Sequence, residues 1–598
     1  MSAGSPSLHA IESSAADVTR PGPAPDEIVR RFTRGNEHPR GVVWFGATSF
    51  WGHIRHLVAS VMATQNIDSR DWMTADQPHD LMARIVDVLG GNPHAATLSE
   101  ALDRDLYIDF VADTGDDVAV SRAVARLVFA RYELPDPEVR GAFFIAPRGE
   151  ILLFGGDTAY PVATAPELLN RVIAPWNQVL QALPDDGRRR VLLGVAGNHD
   201  WFDGLDGFGR MFRQHVPGTA ARPSAATVSP KMLEHYAAWT REFLRGGAIE
   251  KPEALVLQGY VPVQNATYFA LPLAPAIRMF GVDRQLTTID PRQSAFLGDY
   301  YRAEPGAALV AVLPDPVYHF GTPSKTGTQM VKSLGLDLES RATLVLTGDI
   351  HHYERVETAK VTHVIAGGGG AFLHPARIAR GGLPPTVTWP GIAQSRRLLR
   401  QVPWKLAAGR SGYLPHFGLL ALWTLAYVAA EQLHTLTGFA ISVSILTTLL
   451  IGAIYALIGN VTRKRSVLPI ALVAAAITVS LSIGSGLFLE AAFEHLARPM
   501  PVRVLLGAST FAFGVFTGAF VFGSYLALLT LLGYENTQAF TVLDHPGFKH
   551  FLRLRVRADG RGIDGWCIGA ADPLGRGTQP VLVDRFSWRP FNHRDRDT

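Results

Sequence analysis

Short apolar runs that end in polar turns recur along the first two thirds of the chain. Three of them occupy residues 106–112, 151–154 and 191–196, and helical periodicity fills residues 118–132 and 166–183 between them. This alternation predicts a largely parallel α/β sheet with right-handed crossovers. Polar residues directly follow each run, so we expect Asp113, Asp157 and Asn198 to meet at one edge of that sheet.

Five further strands are predicted at residues 268–271, 277–280, 308–313, 343–347 and 362–366. The third of them ends at Asp315, and the fourth ends in Gly348-Asp349-Ile350-His351. The fifth ends in four glycines, 367–370, which permit either a close approach of the backbone to a ligand or a simple packing turn. These glycines are not followed by the Lys-Ser/Thr pair of a P-loop, so they do not predict a nucleotide-binding loop.

Continuous apolar runs dominate the last third of the chain, at residues 417–433, 439–458, 467–489 and 504–532. At about 20 residues per span, they predict about four transmembrane helices in an all-α bundle covering residues 411–534. Basic residues precede the first run, separate the second from the third and follow the fourth. This distribution predicts a multi-pass protein of the cell membrane whose large N-terminal domain and C-terminus are cytoplasmic.

Composition adds limits on partners and ligands. The chain has 598 residues and a formal net charge of +3, which gives no reason to expect a nucleic-acid partner. Its mean hydropathy of +0.12 agrees with membrane segments. Cys567 is the sole cysteine, so a metal would have to be held by Asp, Asn, His or Tyr.

The regions that flank the predicted α/β domain (101–390) and bundle are assigned from composition and periodicity. Residues 1–40 are predicted to be a disordered tail. Residues 41–100 form a predicted N-terminal helical segment, in which 41–62 is either an interfacial helix or an ordinary packed helix. Residues 535–598 are predicted to be a small cytoplasmic C-terminal region, with 551–557 and 566–568 forming a β-rich appendage.

The residues at the strand ends are of the types that bind hard metal ions. A carboxylate can bridge two cations, and Asp157 is the natural bridge. The other candidate ligands are Asp113, His351 and Tyr160 for one ion, and Asn198 and Asp349 for the second. Two such ions together hold a phosphate, generate hydroxide at neutral pH and stabilise in-line attack.

His199 follows Asn198 directly, and its predicted role is different. An imidazole beside a phosphate can protonate the leaving oxygen, so His199 is the candidate general acid. The competing interpretation is that Gly197-Asn198-His199-Asp200 is a tight turn without a chemical role, in which Asp200 caps the loop.

Four motifs, taken in order, resemble those of calcineurin-like metallophosphoesterases. They are Asp113-Thr114-Gly115, Gly156-Asp157-Thr158-Ala159-Tyr160, Gly197-Asn198-His199-Asp200 and Gly348-Asp349-Ile350-His351. The position of Tyr160 is most similar to the purple acid phosphatase branch. The segment Gly369-Gly370-Ala371-Phe372-Leu373-His374-Pro375 resembles a membrane-attached subgroup of bacteria and plants. The resemblance covers roughly residues 106–375 and implies an αββα sandwich with two divalent or trivalent ions (Mn, Fe or Zn).

The chain departs from this family at two positions. Asp349 stands where the family's Gly-His-x-His motif has its first histidine, and aspartate still suits a hard metal. The family also has a histidine after the preceding strand, where this chain offers Asp315 or, further on, His319 as alternatives. His352 and His374 are candidates for contact with substrate phosphate, or else structural histidines.

The prediction for the whole chain is a membrane-anchored metallophosphoesterase that hydrolyses a phosphate ester by a dinuclear-metal hydroxide mechanism. Two alternatives from other classes remain open. One is a catalytically weak or inactive phosphoesterase-like domain that senses a ligand and regulates the bundle. The other is a transporter or channel with a regulatory domain, although the predicted spans carry almost no central charge.

Overall fold

A computed structural model describes Trp44, Met73 and residues 75–202, 204–214, 254–284, 289–431, 437–459, 465–493, 500–543, 545–575 and 579–590. The predicted tail 1–40 and, apart from Trp44, the predicted helix 41–62 lie outside these residues.

The strands, in chain order, are β1 (Leu106–Val111), β2 (Tyr132–Pro135), β3 (Phe143–Ala146), β4 (Ile151–Phe154), β5 (Arg190–Gly194), β6 (Tyr260–Pro262), β7 (Phe269–Ala274), β8 (Ile277–Gly281), β9 (Ala308–Leu313), β10 (Tyr318–His319), β11 (Thr322–Pro323), β12 (Thr343–Thr347), β13 (Tyr353–Glu357), β14 (Val361–Ala366), β15 (Val387–Trp389), β16 (Lys549–Val556), β17 (Ile563–Ala570) and β18 (Val581–Trp588). The α-helices are Pro78–Leu89, Leu98–Leu102, Val118–Phe129, Ala165–Leu168, Ala174–Gln181, Asn198–Trp201, Asp206–Phe212, Pro291–Ala303, Lys325–Ser333, Ile392–Leu399, Val402–Ala407, Leu414–Glu431, Thr437–Ile458, Val467–Phe493, Met500–Leu532 and Gln538–Thr541.

The first sheet has seven strands in the order β18-β17-β16-β1-β4-β5-β6. Strands β1, β4, β5 and β6 are parallel, which confirms the predicted β-α-β arrangement. The predicted helix 118–132 ends earlier, at Phe129, and β2 follows it. The predicted helix 166–183 is divided by a π-helical turn, Leu169–Ile173.

The second sheet also has seven strands, in the order β15-β13-β14-β12-β9-β8-β7. Its centre, β8-β9-β12-β14, is parallel, and antiparallel strands close both edges. All five strands predicted between 268 and 366 are present. Parallel strands end at a common edge, and for this reason the loops after β9, β12 and β14 lie together.

The two sheets face each other across one apolar core. Phe110, Leu153 and Leu193 of the first sheet share a buried cluster with Val310 and Leu346 of the second. The outer face of the first sheet packs against the helices Val118–Phe129 and Ala174–Gln181. The outer face of the second packs against Pro291–Ala303 and Lys325–Ser333. Both sheets are therefore covered on both faces, as the nearly continuous apolar strands require.

The C-terminal strands belong to the first sheet, and the expected separate appendage is wrong. Strand β16 pairs antiparallel with β1, with Ile108 opposite Leu554. The alternating residues 551–557 form a strand that is buried on both faces. Leu552 and Leu554 enter the core between the sheets, and Arg553 is fully buried on the opposite face. Its guanidinium donates to Asp109 of β1 at 2.7 and 3.0 Å.

We expect Arg553→Met to cost about 3–5 kcal/mol of folding free energy, because it leaves the Asp109 carboxylate buried without its cation. Arg104→Met is the matched control, since Arg104 pairs with Glu150 while 44% of its side chain is exposed. The control should cost about 1 kcal/mol or less. Denaturant titration of the full chain in detergent measures both, and equal losses would contradict the structural role of the buried pair.

Three helices are long and apolar enough to cross a membrane, with candidate spans Ile441–Ile458, Val467–Gly484 and Phe511–Leu532. The helix before them, Leu414–Glu431, contains the shorter apolar stretch Leu414–Leu425. The chain therefore consists of an α/β domain followed by a helical membrane part, and the last three strands return to the α/β domain.

Candidate metal centre

Three aspartates at strand ends adopt left-handed backbone conformations. The φ angles are 58° at Asp113 after β1, 50° at Asp157 after β4 and 65° at Asp349 after β12. Aspartate tolerates this region better than most residues do. The carboxylates of Asp113 and Asp157 both lie within reach of the Tyr160 hydroxyl.

Four polar atoms from three loops converge on one point. The hydroxyl oxygen of Tyr160 lies 2.9 Å from Asp113 Oδ1, 3.1 Å from His351 Nε2 and 3.4 Å from Asp157 Oδ2. Asp113 Oδ1 and His351 Nε2 are 3.5 Å apart. Ligand atoms about 2.1 Å from one metal ion lie roughly 3.0–3.4 Å from each other in octahedral or tetrahedral geometry, and the observed separations are close to that range.

These four atoms have more lone pairs than protons. The Tyr160 hydroxyl carries one hydrogen, whereas two carboxylate oxygens and a ring nitrogen surround it. Asp113 Oδ2 is also buried and has no hydrogen-bond partner among the described residues. A Cβ on Gly348 or Gly367 would lie 2.7 or 2.5 Å from this oxygen, so glycine is needed beside it. The donor set therefore fits a cation.

In the described part of the chain, no group of three or more His, Cys, Asp or Glu side chains is arranged so that it alone could hold a metal ion. The observed cluster has two carboxylates and one imidazole, and the fourth corner is a phenol. A search of the sequence for acidic and histidine residues alone would therefore miss one quarter of the donor set.

Burial makes the unpaired charges in this cluster costly. It raises the pKa of Asp113 and of Asp157 to about 7, and in Asp157 the charge of Asp113 adds to the effect. Burial also lowers the pKa of His351 to about 3, which keeps this imidazole neutral. A neutral imidazole and carboxylates are the forms that bind metal.

Neighbouring groups orient the His351 ring. Nδ1 lies 2.7 Å from the carbonyl oxygen of Phe372, and because a carbonyl only accepts, Nδ1 carries the proton. This leaves the lone pair of Nε2 directed at the cluster. The ring stacks on His374 with 4.2 Å between ring centroids, and the backbone N–H of His351 donates to His374 Nδ1 at 3.0 Å. Such contacts fix the orientation of a metal-binding histidine.

Asp200 holds the turn after β5 against the turn after β4. Its carboxylate accepts from the backbone N–H of Asp157 at 2.9 Å and of Gly197 at 2.9 Å, and from the hydroxyl of Thr158. The capping role expected for Asp200 is thus present. Asn198 is half-buried and begins the helical turn Asn198–Trp201.

His199 lies at the border of the cluster. Its backbone N–H donates to Asp157 Oδ1 at 2.9 Å, and its ring is 4.4 Å from that of Tyr160 between centroids. Nδ1 lies 2.6 Å from the carbonyl oxygen of Pro161, so Nδ1 holds a proton and Nε2 is the atom able to exchange one. Burial lowers the pKa of His199 to about 4.

The candidates for the second metal are arranged differently. The backbone N–H of Asp349 donates to Asp113 Oδ1 at 3.2 Å. Burial raises the pKa of the Asp349 carboxyl, and the charges of Asp315, Asp157 and Asp113 raise it further. Asp315 is paired with Arg284 at 2.8 Å, so a cation already neutralises part of this group.

The remaining predicted histidines lie behind or beside the cluster. His352 is fully buried and lies 3.4 Å from the Glu354 carboxylate, a position that favours the structural alternative for this residue. His374 supports His351 as described above. His319 is half-buried on the short strand β10, with its ring against Phe320.

Sequence reasoning missed two groups that surround the centre. The Trp44 ring contacts the rings of Tyr160, His199 and Phe372, with centroids 6.3, 6.2 and 5.3 Å away. Lys549, on β16, is buried and donates through Nζ to the carbonyl of Ala371. Burial lowers the pKa of Lys549 to about 8. The alternation of basic residues in 549–557 was the only sequence signal for this contribution.

No protein-family model and no curated protein sequence matches the chain. Among solved structures, it is similar to one described as "GAP50 the anchor in the inner membrane complex of Plasmodium". The two share 10% sequence identity with a TM-score of 0.27, over 48% of this chain and 78% of the other. A superposition this weak carries no argument about the fold or the function of this chain.

Proposed function

We propose that the protein is a membrane-anchored, metal-dependent phosphoesterase and that its two facing sheets form the αββα sandwich of metallophosphoesterases. The observation that carries this proposal is the convergence of Asp113, Asp157, Tyr160 and His351 on one point, with lone pairs in excess of protons. The metal would be a divalent or trivalent ion such as Mn, Fe or Zn, since carboxylate, phenol and imidazole donors suit those ions.

Asp113, Tyr160 and His351 would hold the first ion, and Asp157 would be shared with a second. When bound, the two ions would supply charge to clamp the phosphate and to lower the pKa of the attacking water. Asn198 and Asp349 are the candidates for the remaining second-ion ligands. Arg284 competes with a metal for Asp315, so we leave Asp315 and His319 out of the proposed set.

The protein's own groups position the reaction. Asp200 fixes the turn of Asp157 relative to that of Asn198, and Phe372 and His374 fix the tautomer and the plane of His351. As general acid, His199 would keep one proton on Nδ1 at the Pro161 carbonyl and donate a second from Nε2, so it would act in its imidazolium form. Burial lowers the pKa of His199 to about 4, and the negative charge of a bound phosphate would have to raise that pKa. The Trp44 ring packs edge-on against the rings of Tyr160 and His199 on this side of the centre.

Metal analysis of the purified full chain tests this proposal. We expect bound Mn, Fe or Zn at one to two equivalents, lost on chelation and recovered on reloading. Arg188→Gln, on the exposed loop before β5 and so at the opposite end of that strand from Asn198, is the matched control and should retain the metal. A protein that binds none of these ions under any loading condition would contradict the proposal.

The sheet topology supports a multi-pass arrangement. Strands β1 and β16 are neighbours in one sheet, yet the apolar helices lie between them in sequence. If the apolar helices span the membrane, the number of crossings between these two strands would be even. Three helices meet the length and hydropathy expected of a span, so the helix Leu414–Glu431 would be the fourth crossing.

Both parts of the α/β domain should face the cytoplasm, because basic residues flank the same ends of the bundle. Protease treatment of right-side-out vesicles should leave epitopes in 106–194 and in 549–588 intact, and treatment of inverted vesicles should cleave the chain. Cleavage of both epitopes from outside would reverse the orientation. Cleavage of only one would contradict the shared sheet.

A sensor is the second candidate function, and one contact favours it. Leu373 lies between two residues that contact His351, yet it is buried in the cluster formed by the membrane helices, together with Tyr455 and Leu526. The segment that supports His351 is therefore packed against the bundle, so a change at the metal centre could be passed to the helices. In a sensor, metal and phosphate would bind without turnover of any phosphoester.

A further inference from the structure

The helix Val402–Ala407 and the residues beside it form a basic groove at the start of the membrane part. Its volume is about 600 Å³, and it is lined by Arg400, Gln401, Trp404, Lys405, Ala408 and Arg410. The side chains of Arg400 and Arg410 are exposed, and Trp404 is 61% exposed. The segment 391–413 contains five Lys or Arg residues and no Asp or Glu, so its own sequence supplies no counter-charge.

This groove lies near the level where the bundle leaves the hydrocarbon of the membrane. The helix Met500–Leu532 has 33 residues and is about 50 Å long, whereas the hydrocarbon core is about 30 Å thick. Its candidate span Phe511–Leu532 ends at Leu532. The Lys405 ammonium donates to the carbonyl of Leu543, beyond that end, which places the short helix at this end of the bundle, while the Trp404 ring packs on Phe520 inside the span.

The short helix is held firmly there. A Cβ on Gly523 would lie 2.7 Å from the Cα of Pro403, so the two backbones are in close contact. Val402 and Leu406 are buried against the bundle. The opposite side of the helix presents Trp404 outward, and Arg400 and Arg410 are exposed at its two ends, while the half-buried Lys405 donates to the carbonyl of Leu543. Exposed tryptophan with lysine and arginine at the membrane interface is the composition that meets phospholipid headgroups.

We propose that this groove is a binding site for the headgroup of an anionic phospholipid of the same leaflet. The phosphate would sit between Arg400, Lys405 and Arg410, and Trp404 would pack against the glycerol and the upper acyl chain. Two arginines can bind a phosphate through paired N–H donors. The site is separate from the proposed metal centre and does not depend on the proposed hydrolysis.

Native mass spectrometry of the full chain in detergent tests this proposal, with phosphatidylglycerol and phosphatidylcholine of identical acyl chains as probes. We expect phosphatidylglycerol to bind at least about tenfold more tightly. Arg400→Gln/Arg410→Gln should remove this preference, with a loss of roughly 25-fold for two cations at a membrane surface. Equal binding of the two lipids to the unchanged chain would overturn the proposal.

Two further variants separate charge from folding. Arg400→Lys/Arg410→Lys keeps the charge and should keep most of the preference. Arg188→Gln/Arg189→Gln removes two exposed cations from the loop before β5 and should leave it unchanged. Wild-type affinity in the Arg400→Gln/Arg410→Gln variant would contradict the site. Equal competition by soluble glycerol phosphate would show that the groove takes a free phosphate and would overturn the assignment to a lipid.

Discussion

Asp157→Asn is expected to lower metal affinity more than about 100-fold, whereas Asp349→Asn should lower it by roughly tenfold or less. Asp157 contributes Oδ2 to the four-atom cluster, and its Oδ1 accepts from the backbone of His199. It would therefore be shared by both ions. Asp349 reaches the cluster through its backbone N–H and would serve only the second ion.

These two variants are well matched for stability. Both aspartates have positive φ angles, 50° and 65°, and asparagine tolerates that region as aspartate does. Neither change leaves a cavity, so a difference in metal content would report on charge and position. Equilibrium dialysis followed by elemental analysis measures it. Equal residual metal in the two variants would contradict the bridging role of Asp157.

The second large effect is expected from His199→Asn, and it should depend on the leaving group. An alkoxide needs a proton as the P–O bond breaks, whereas nitrophenolate hardly does. A positioned acid contributes roughly 10²–10⁴-fold to the rate. We expect the variant to lose about that factor with alkyl phosphates, and much less with nitrophenyl phosphate, while its metal content is unchanged.

The structure explains why the metal content should survive this change. The His199 ring donates to the Pro161 carbonyl and packs on Tyr160, and it is the backbone N–H of residue 199 that contacts Asp157. Asparagine preserves that N–H. An equal loss with both substrates would assign His199 to phosphate binding instead of proton transfer. If activity is lost with neither substrate, the turn Gly197-Asn198-His199-Asp200 has only a structural role.

The parallel strands and the donors at their ends were predictable from sequence. Each strand is a short apolar run followed at once by turn residues, and parallel strands necessarily deliver these residues to one edge. The runs before Asp113 and Asp157 matched β1 and β4 closely. Strand β13 was missed because Tyr353–Glu357 mixes charged and apolar residues, with Glu354 buried 3.4 Å from His352 and Arg355 paired with Asp584.

The contribution of the C-terminus could not be read from local pattern. Arg553 and Asp109 are separated by 444 positions, and their pairing depends on the return of the chain from the membrane. The basic residues in 549–557 fit a cytoplasmic flank of the bundle, by the positive-inside rule, as well as they fit a strand of the first sheet. The glycines at 367–370 had two open interpretations, and the structure supports packing for Gly368, since a Cβ there would overlap the His550 ring.

The most direct test of the central claim is the rate of phosphoester hydrolysis by the metal-loaded full chain, compared with that of Asp113→Asn over the same panel of substrates. Asp113 accepts from Tyr160 and holds the unpartnered Oδ2. The proposal predicts metal-dependent turnover by the wild-type chain and a loss of at least about 10³-fold in the variant, as expected when the groups that bind the metal are lost. Identical rates for the two proteins, or no turnover of any phosphoester by metal-loaded wild type, would contradict it.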